Sequence, residues 1–328
     1  PDSAPRMDAP YADAGVIDTA RDAAKAKKDI AALGYVDDAY AHMFVTATRG
    51  ATHGRRHPPL VHRGYWARAS ATRATVSAFA SATHSADVPV NIINIGAGFD
   101  TIAMYAYALM RGRVRVVELD HGEVVKGKML RLRAAPDAER ALGADEHLTN
   151  VRSTREDSGV MYTIGTAYAL VECDLRDVER VEKVLVRSGI DLSAPTLVLA
   201  ECVLAYLPQG KSNDIVRWFG ERVRMGVFMS YDPIKPDDAF GRTMIRNVES
   251  RGCAFSGIYD APDVASAARR FTANAWSRAE AYDMNTIYSE KLDPRERARI
   301  ERIEWFDEFE EWRLIMGHYC ISLGVNGM

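Results

Sequence analysis

The stretch from Val90 to Asp100 constrains the fold most, because an apolar run of strand length ends there in two closely spaced glycines. The run carries no charge before Asp100, which is typical of a strand buried on both faces of a sheet. Gly96 and Gly98 permit a tight turn whose backbone can approach a ligand closely. Residues 101–110 then predict a helix. Together these features indicate a nucleotide-type site, and the alternative is a tight turn without a ligand.

Strand and helix patterns alternate after this stretch. Further strands are predicted at 114–120, 169–175, 196–206, 226–232, 283–288 and 318–325, with helices at 18–33, 67–82, 122–133, 178–187, 208–222, 237–250, 262–276 and 293–313. This order predicts an α/β fold with a mostly parallel sheet.

The pattern also divides the chain. We predict a disordered segment over 1–17 and one domain over 18–328, with a helical cap (18–88), a core sheet (89–235) and a helical insertion with the final strands (236–328). Residues 134–166 are a polar insertion, expected to form surface loop and short helices.

Composition excludes several classes of protein. A formal net charge of −3 on 328 residues argues against a general nucleic-acid or membrane-surface binder. No apolar run approaches the roughly 20 residues that span a bilayer. The four cysteines are widely spaced and form no C-x-x-C pair, which indicates buried, reduced thiols. We therefore expect a protein of the cytoplasm.

Three histidines, His53, His57 and His62, lie close together in a basic segment. Their spacing matches no helical ligand pair, and no carboxylate or cysteine lies among them. The sequence therefore predicts no metal site. Arg55 and Arg56 of this segment are expected to meet an anionic partner.

Acidic residues follow the predicted strands. Asp120 lies 22 residues after Gly98, and about 20 is the spacing at which an acid binds ribose hydroxyls. The alternative is an acid that only caps the next helix. Glu201 lies within a very apolar run, where a buried charge is costly without a polar cleft or a cation.

This row of acids favours a methyltransferase over a dinucleotide dehydrogenase. A dehydrogenase requires a third glycine where this chain has Thr101. Carboxylates repel pyrophosphate, but they suit S-adenosylmethionine, which has hydroxyls, an amine and a positive sulfonium. The carboxylate of that cofactor needs a cation such as Lys27 or Arg68. For Lys27, in a lysine-rich helix, the alternative is a solvated face.

Short motifs along the chain together resemble the leucine carboxyl methyltransferase family. In chain order they are RGYWAR at 63–68, GAGFD at 96–100, ELD at 118–120, DLRD at 174–177, AECVLAY at 200–206, FG at 240–241 with MI at 244–245, and HYC at 318–320. The resemblance runs from about Lys27 to the C-terminus. It implies a Rossmann-like class I methyltransferase with a seven-stranded, mostly parallel sheet, a last strand inserted antiparallel, and helical additions that form a lid.

The resemblance also implies a reaction and a set of cofactor contacts. The family uses S-adenosylmethionine to methylate the C-terminal leucine carboxylate of the catalytic subunit of protein phosphatase 2A. Its cofactor positions fall on Lys27, Arg68, Gly96, Asp120, Asp174, Leu175 and Glu201, and Gly98 completes the turn. By resemblance, Arg68 pairs with the methionyl carboxylate. Asp120 binds the ribose and Glu201 the amino end, while Asp174 and Leu175 hold the adenine.

Lys27, Arg68 and Tyr206 are expected at the methyl-transfer step. The two cations hold the substrate carboxylate, and Tyr206 lines the pocket. A C-terminal carboxylate, with a pKa of about 3.5, is ionised at neutral pH, so that no general base is required. The transfer then needs an in-line approach to about 3 Å in a dry pocket. His121 and His318 are accordingly interpreted as structural.

The sequence departs from the family at Val36, where an aromatic residue is usual. It also diverges over 134–166, so that the resemblance does not define a lid there. Two alternatives stay open. One is a related methyltransferase of another carboxylate or hydroxyl, including modified tRNA, whose enzymes carry a large repeat domain that we do not expect here. The other is a non-catalytic phosphatase-binding protein, which would have lost a cofactor residue.

Overall fold

The computed structural model describes residues 10–45, 56–85, 89–156 and 159–328. Its strands are β1 (Val90–Ile95), β2 (Val114–Asp120), β3 (Val151–Glu156), β4 (Gly159–Ile164), β5 (Tyr168–Glu172), β6 (Thr196–Glu201), β7 (Gly226–Pro233), β8 (Arg278–Asp283) and β9 (Tyr319–Asn326). Its helices are α1 (Pro10–Ala32), α2 (Pro59–Ala82), α3 (Ile102–Met110), α4 (Gly122–Arg133), α5 (Pro136–Ala141), α6 (Val178–Arg187), α7 (Lys211–Arg222), α8 (Ala239–Glu249), α9 (Val264–Thr272), α10 (Met284–Thr286), α11 (Pro294–Ile300) and α12 (Phe309–Met316).

Within these ranges, nine strands form one sheet in the order β3-β4-β5-β2-β1-β6-β7-β9-β8. The five strands from β5 to β7 in this order are parallel to one another. β9 runs antiparallel between β7 and β8. The predicted α/β class and the antiparallel insertion of the last strand are confirmed, whereas the count of seven strands is too low.

The two additional strands come from the segment predicted as loop. β3 and β4 form an antiparallel hairpin, and β4 pairs with β5, so that residues 134–166 extend the sheet. The backbone N–H of Val160 donates to Glu172 at 3.0 Å, which ties the hairpin to the end of β5. The charged sequence of β3 concealed the pattern, because charges are typical of a strand at the sheet edge.

Element boundaries differ from the prediction at both ends. α1 begins at Pro10, so residues 10–17 are helical, while residues 1–9 lie outside the described ranges. The strand predicted at 283–288 is wrong, because Asp283 accepts a hydrogen bond from the N–H of Thr286 (2.8 Å) and starts helical structure there. The helix predicted over 293–313 is divided into α11 and α12. The division into cap, core and insertion stays a prediction.

Both faces of the sheet are covered, as the uncharged sequence of β1 predicts. Ile92 packs into one hydrophobic core, which includes Trp66 of α2. Ile93 and Ile95 pack into the other, which includes Val184 of α6. The carboxyl ends of the parallel strands are therefore the open edge at which a site can form. In the described ranges, none of the helices has the length and apolarity of a membrane span.

One ion pair is sealed inside the first of these cores. The Nζ atom of Lys128 on α4 lies 2.6 Å from Oε2 of Glu118 in the middle of β2, and both side chains are buried. The hydroxyl of Tyr168 donates to the same oxygen at 2.6 Å. We refer to the ion pair of Lys128 and Glu118, together with the hydrogen bond from Tyr168, as the sealed pair.

Candidate active site

The glycine turn after β1 adopts a conformation that only glycine takes readily. Gly96 and Gly98 have φ angles of +62° and +51°, in the left-handed region. A methyl group on Gly96 would overlap the side chain of Val203. The N–H of Gly98 donates to a carboxylate oxygen of Asp120 at 2.5 Å. Both glycines are therefore needed to fold the turn against the end of β2.

Asp120 ends β2 beside this turn. Its other carboxylate oxygen accepts a hydrogen bond from the N–H of His121 at 2.6 Å. Burial raises the pKa of Asp120, although both backbone hydrogen bonds favour ionisation. The cap of α4 is His121, whose ring accepts from the N–H of Glu123 (3.4 Å). The alternative role of Asp120 as the cap is therefore excluded.

Four charged side chains from separate elements meet at the open edge of the sheet: Lys27 of α1, Arg68 of α2, Asp100 of the turn and Glu201 of β6. The Nζ atom of Lys27 contacts Asp100 and lies 4.0 Å from Glu201. The Nε atom of Arg68 donates to the carboxylate of Glu201 at 2.5 Å. We call these residues the charge cluster.

The charges in this cluster are mutually stabilised. Burial disfavours ionisation of Asp100, yet Lys27 holds its pKa below the usual range. Burial likewise acts against charge on Lys27, but Asp100 and Glu201 raise its pKa. With two cations and two anions, the cluster is neutral overall. Such an arrangement matches a ligand that carries an amine and a carboxylate side by side.

The charge cluster lies at a cleft of about 360 Å³, including its open mouth. Lys27, Asp100 and Glu201 line it, together with Asp38 and Thr101, whose side chains hydrogen-bond to each other at 2.5 Å. Val36 also lines the cleft, so the departure from the family's aromatic lies at the site itself. Lys27 reaches the charge cluster from α1, and we call α1 the lid helix for this reason.

Three residues around Arg68 were not singled out from the sequence. The guanidinium lies 4.9 Å from the ring centroid of Tyr231 and 5.8 Å from that of Tyr65. Its Nη1 atom is 3.7 Å from Sγ of Cys202, a residue with a φ of +55°. Tyr65 and Cys202 fall within the family motifs, but no sequence signal reveals the left-handed backbone at Cys202. Tyr231 carries no signal beyond its place near the end of a strand.

Asp174, Leu175 and Tyr206 lie near the same edge. The Asp174 carboxylate follows β5 and accepts hydrogen bonds from the backbone and the guanidinium of Arg176, the shortest from Nη2 at 2.6 Å. Leu175 is buried beside it. The side chain of Tyr206 is hydrogen-bonded to Thr19 of α1. The adenine contacts and the pocket role of Tyr206 stay predictions, because none of these side chains meets the charge cluster.

The two histidines considered as bases have structural partners. His318 uses Nδ1 for the carbonyl of Leu314 (2.7 Å) and Nε2 for Asp238 (2.9 Å). His121 caps α4. Among the described residues that line the cleft, none is a histidine.

Comparison with known proteins identifies the family. The model of the leucine carboxyl methyltransferase family matches residues 15–220, more than half of the chain. The chain belongs to the leucine carboxyl methyltransferase family. It is a methyltransferase, and S-adenosylmethionine is the cofactor.

Relatives of the chain include proteins of two kinds. It is 38% identical to the leucine carboxyl methyltransferase 1 homolog of Arabidopsis thaliana, over 95% of this chain and 90% of the relative. It is 30% identical to the leucine carboxyl methyltransferase 1 of Bos taurus, over 96% and 91%. It is also 35% identical to the human tRNA wybutosine-synthesizing protein 4, over 96% of this chain but only 44% of that longer protein.

Proposed function

We propose that the protein transfers the methyl group of S-adenosylmethionine to the C-terminal leucine carboxylate of the protein phosphatase 2A catalytic subunit. The observation that carries the proposal is the charge cluster at the carboxyl ends of the parallel strands. It can bind an amino acid zwitterion, and its own cations, Lys27 and Arg68, are the candidates to hold a second carboxylate. Family membership and similarity to leucine carboxyl methyltransferases support the substrate.

The cofactor fits the residues that are present. Glu201 and Asp100 can accept hydrogen bonds from its α-amino group, while Lys27 and Arg68 can pair with its carboxylate. Asp120 offers carboxylate oxygens for the ribose hydroxyls beside the glycine turn. The pairings of the amino and carboxylate groups replace contacts that the charge cluster already makes, so these two groups of the cofactor exchange ion pairs within the cluster.

The residues around Arg68 suit the transfer itself. When bound, S-adenosylmethionine supplies a methyl group on a positively charged sulfonium, which a carboxylate oxygen can attack directly. Arg68 is buried between Tyr65 and Tyr231, and burial raises the pKa of both tyrosines, so their hydroxyls stay neutral. A neutral, poorly hydrated wall strengthens the pairing of Arg68 with an incoming carboxylate.

The basic segment before α2 is the proposed partner surface. Arg56 is exposed, and Arg55 lies outside the described residues. We keep both as docking residues for the phosphatase, whose C-terminal tail has to reach Arg68 past the lid helix α1.

A second candidate is a carboxylate on modified tRNA, because similarity to the tRNA wybutosine-synthesizing protein 4 reaches 35%. The charge cluster would serve either carboxylate equally. The net charge of −3 favours the protein substrate, since binding of a tRNA backbone relies on an excess of lysine and arginine.

Label transfer from S-adenosylmethionine distinguishes the candidates. The protein is incubated with radiolabelled cofactor and, separately, with the phosphatase, the phosphatase lacking its terminal leucine, and tRNA from cells that accumulate unmethylated precursor. We expect label only on the intact phosphatase. Label on tRNA alone, or on phosphatase that lacks the leucine, contradicts the proposal.

A matched pair of variants connects the activity to the cluster. Glu201→Gln removes the shared anion of Lys27 and Arg68, and we expect methyl transfer to fall at least about 100-fold, or roughly 3 kcal/mol. Glu182→Gln is the control, because Glu182 forms only an exposed pair with Arg222 at 3.4 Å. Equal activity of the two variants would disconnect the charge cluster from the reaction.

A further inference from the structure

Outside the cleft, three potential metal ligands converge between the lid helix and α2. One nitrogen each of His57 and His62 and one carboxylate oxygen of Asp29 all lie within 4.8 Å of one another. The Nδ1 atom of His57 is 2.9 Å from Oδ2 of Asp29. Asp29 belongs to α1, His57 precedes α2, and His62 lies in its first turns.

The hydrogen bonds of His62 leave one nitrogen free. Its Nδ1 atom lies 2.7 Å from Oε2 of Glu304, which also accepts a hydrogen bond from Tyr35 at 2.9 Å. A carboxylate oxygen only accepts, so Nδ1 carries the proton of this bond, and Nε2 is the ring nitrogen that can offer a lone pair to an ion. His62 is fully buried, and within the described part of the chain Nε2 has no hydrogen-bond partner.

We propose that Asp29, His57 and His62 bind a divalent transition-metal ion, zinc in particular. Two imidazoles and a carboxylate are the ligand types that zinc prefers. Zinc bonds of about 2.0–2.1 Å place tetrahedral ligands roughly 3.3 Å apart, so the present arrangement needs only small side-chain movements. A fourth position remains for water.

Glu304 accepts a hydrogen bond from His62, as a carboxylate often does from a histidine that binds zinc. A carboxylate that accepts from the distal nitrogen orients the ring and increases its basicity. Tyr35, buried against the same carboxylate, holds Glu304 in place. The lone pair on Nε2 of His62 therefore gains a partner in the ion without any change in its existing hydrogen bond.

The sequence argument against a metal site rested on the spacing of the histidines and on the missing carboxylate or cysteine. In the structure, Asp29 supplies the carboxylate from α1, 28 residues before His57. His53, the third histidine of that argument, lies outside the described residues. The spacing of His57 and His62 alone matches no helical pair, because His57 lies before α2 begins.

The ion would fasten the lid helix to α2. Lys27 of the charge cluster lies two residues before Asp29 on α1, and Arg68 of the same cluster lies on α2. The proposed site therefore joins the two helices that bring cations to the cleft. It does not depend on which carboxylate the enzyme methylates.

Metal content and affinity test the proposal in the intact protein. The protein is stripped with a chelator, dialysed against Zn²⁺ and measured by mass spectrometry of the metal and by competition with a chromogenic chelator. We expect one zinc per chain and a melting temperature higher by roughly 4 °C at hundredfold excess over Kd. Ca²⁺ and Mg²⁺ should have no such effect, because they prefer all-oxygen ligand sets.

Variants locate the ion. His57→Ala and Asp29→Asn change partly exposed side chains, and each should weaken zinc binding more than about 100-fold, since loss of an outer partner alone costs 10- to 100-fold. His42→Ala, in an exposed histidine of the same region, should bind zinc normally. Absence of tight zinc in the wild type, or unchanged affinity in both ligand variants, overturns the proposal.

Discussion

The charge cluster and the sealed pair both take ionised side chains out of water, but they do so in opposite ways. In the sealed pair, Lys128 and Glu118 are 2% and 0% exposed, and a tyrosine hydroxyl completes the arrangement. In the charge cluster the four side chains are 8–14% exposed, and Lys27, Asp100 and Glu201 line an open cleft. Glu118 lies within β2, whereas Glu201 ends β6.

Because of this difference, the sealed pair contributes to stability, whereas the charge cluster contributes to function. A sealed pair has no access to a ligand, so its partners compensate each other, and Lys128 acts on Asp100 and Asp120 only through its charge. Removal of one partner leaves a buried charge without compensation. The charge cluster can exchange each internal contact for one with a ligand, and water reaches it when no ligand is bound. We therefore expect substitutions in the sealed pair to affect the stability of the fold and substitutions in the charge cluster to affect ligand binding.

The largest effect is expected for Lys128→Met. Glu118 would remain buried without its cation, and the free energy of unfolding should fall by about 3–5 kcal/mol. Cofactor affinity of the folded protein should stay within twofold. Urea unfolding and calorimetric titration measure the two quantities. Lys128→Met combined with Glu118→Leu should recover most of the lost stability, and a loss that the double variant keeps would show that packing, not charge, is responsible.

For Arg68→Ala we expect the opposite result, a large loss of cofactor affinity and a small loss of stability. Cofactor binding should weaken by roughly 2 kcal/mol or more, about 30-fold, because a buried carboxylate of the ligand loses its guanidinium partner. Glu201 keeps Lys27 at 4.0 Å, so the free energy of unfolding should change by less than about 1 kcal/mol. Titration calorimetry with S-adenosylmethionine gives the first value. Unchanged affinity would remove Arg68 from the cofactor site.

A third buried acid, Asp232, differs from the acids of both the sealed pair and the charge cluster, because its cationic partner compensates its charge less. Its pKa is raised by burial to about 6, against the attraction of Arg270. Both residues face a cavity of about 270 Å³, and among the described residues Oδ2 of Asp232 has no hydrogen-bond partner. The acid thus resembles the sealed pair in burial but lacks a close cation.

The pH dependence of stability follows from this shift. Because the folded-state pKa lies above the ordinary 3.8, Asp232 stabilises the fold at low pH and loses this contribution as pH rises toward 6. In Asp232→Asn the side chain cannot ionise, so this loss of stability with rising pH does not occur. Relative to wild type, the variant should gain roughly 2 kcal/mol of unfolding free energy between pH 4.5 and 7.5. Parallel unfolding curves at the two pH values would contradict this.

The smallest effect is expected for Lys27→Met. Arg68 remains to hold a ligand carboxylate, so cofactor affinity should fall only by about fivefold, or roughly 1 kcal/mol. Lys28→Met, on the exposed side of the same helix, is the control and should bind normally. A loss larger than that of Arg68→Ala would make Lys27 the main cation of the site.

Much of the site was predictable because its elements are local in sequence. The glycine turn and Asp120 could be predicted from strand length and spacing, and the structure joins them by one hydrogen bond. The hairpin β3–β4 could not be predicted, because its polar edge strand lacks the apolar pattern that a buried strand shows. The pairing of Lys27 with Asp100 links residues 73 apart, which no local pattern reveals.

The sequence by itself determined the α/β alternation, the glycine turn and the acids at strand ends, since these depend on periodicity and on backbone geometry within a few residues. Only the tertiary structure decided which charges meet. It paired Arg68 with Glu201 and Lys128 with Glu118, and it brought Asp29 to His57 and His62. The physical reason is that ionic and metal contacts act over a few ångströms between side chains that only packing brings together.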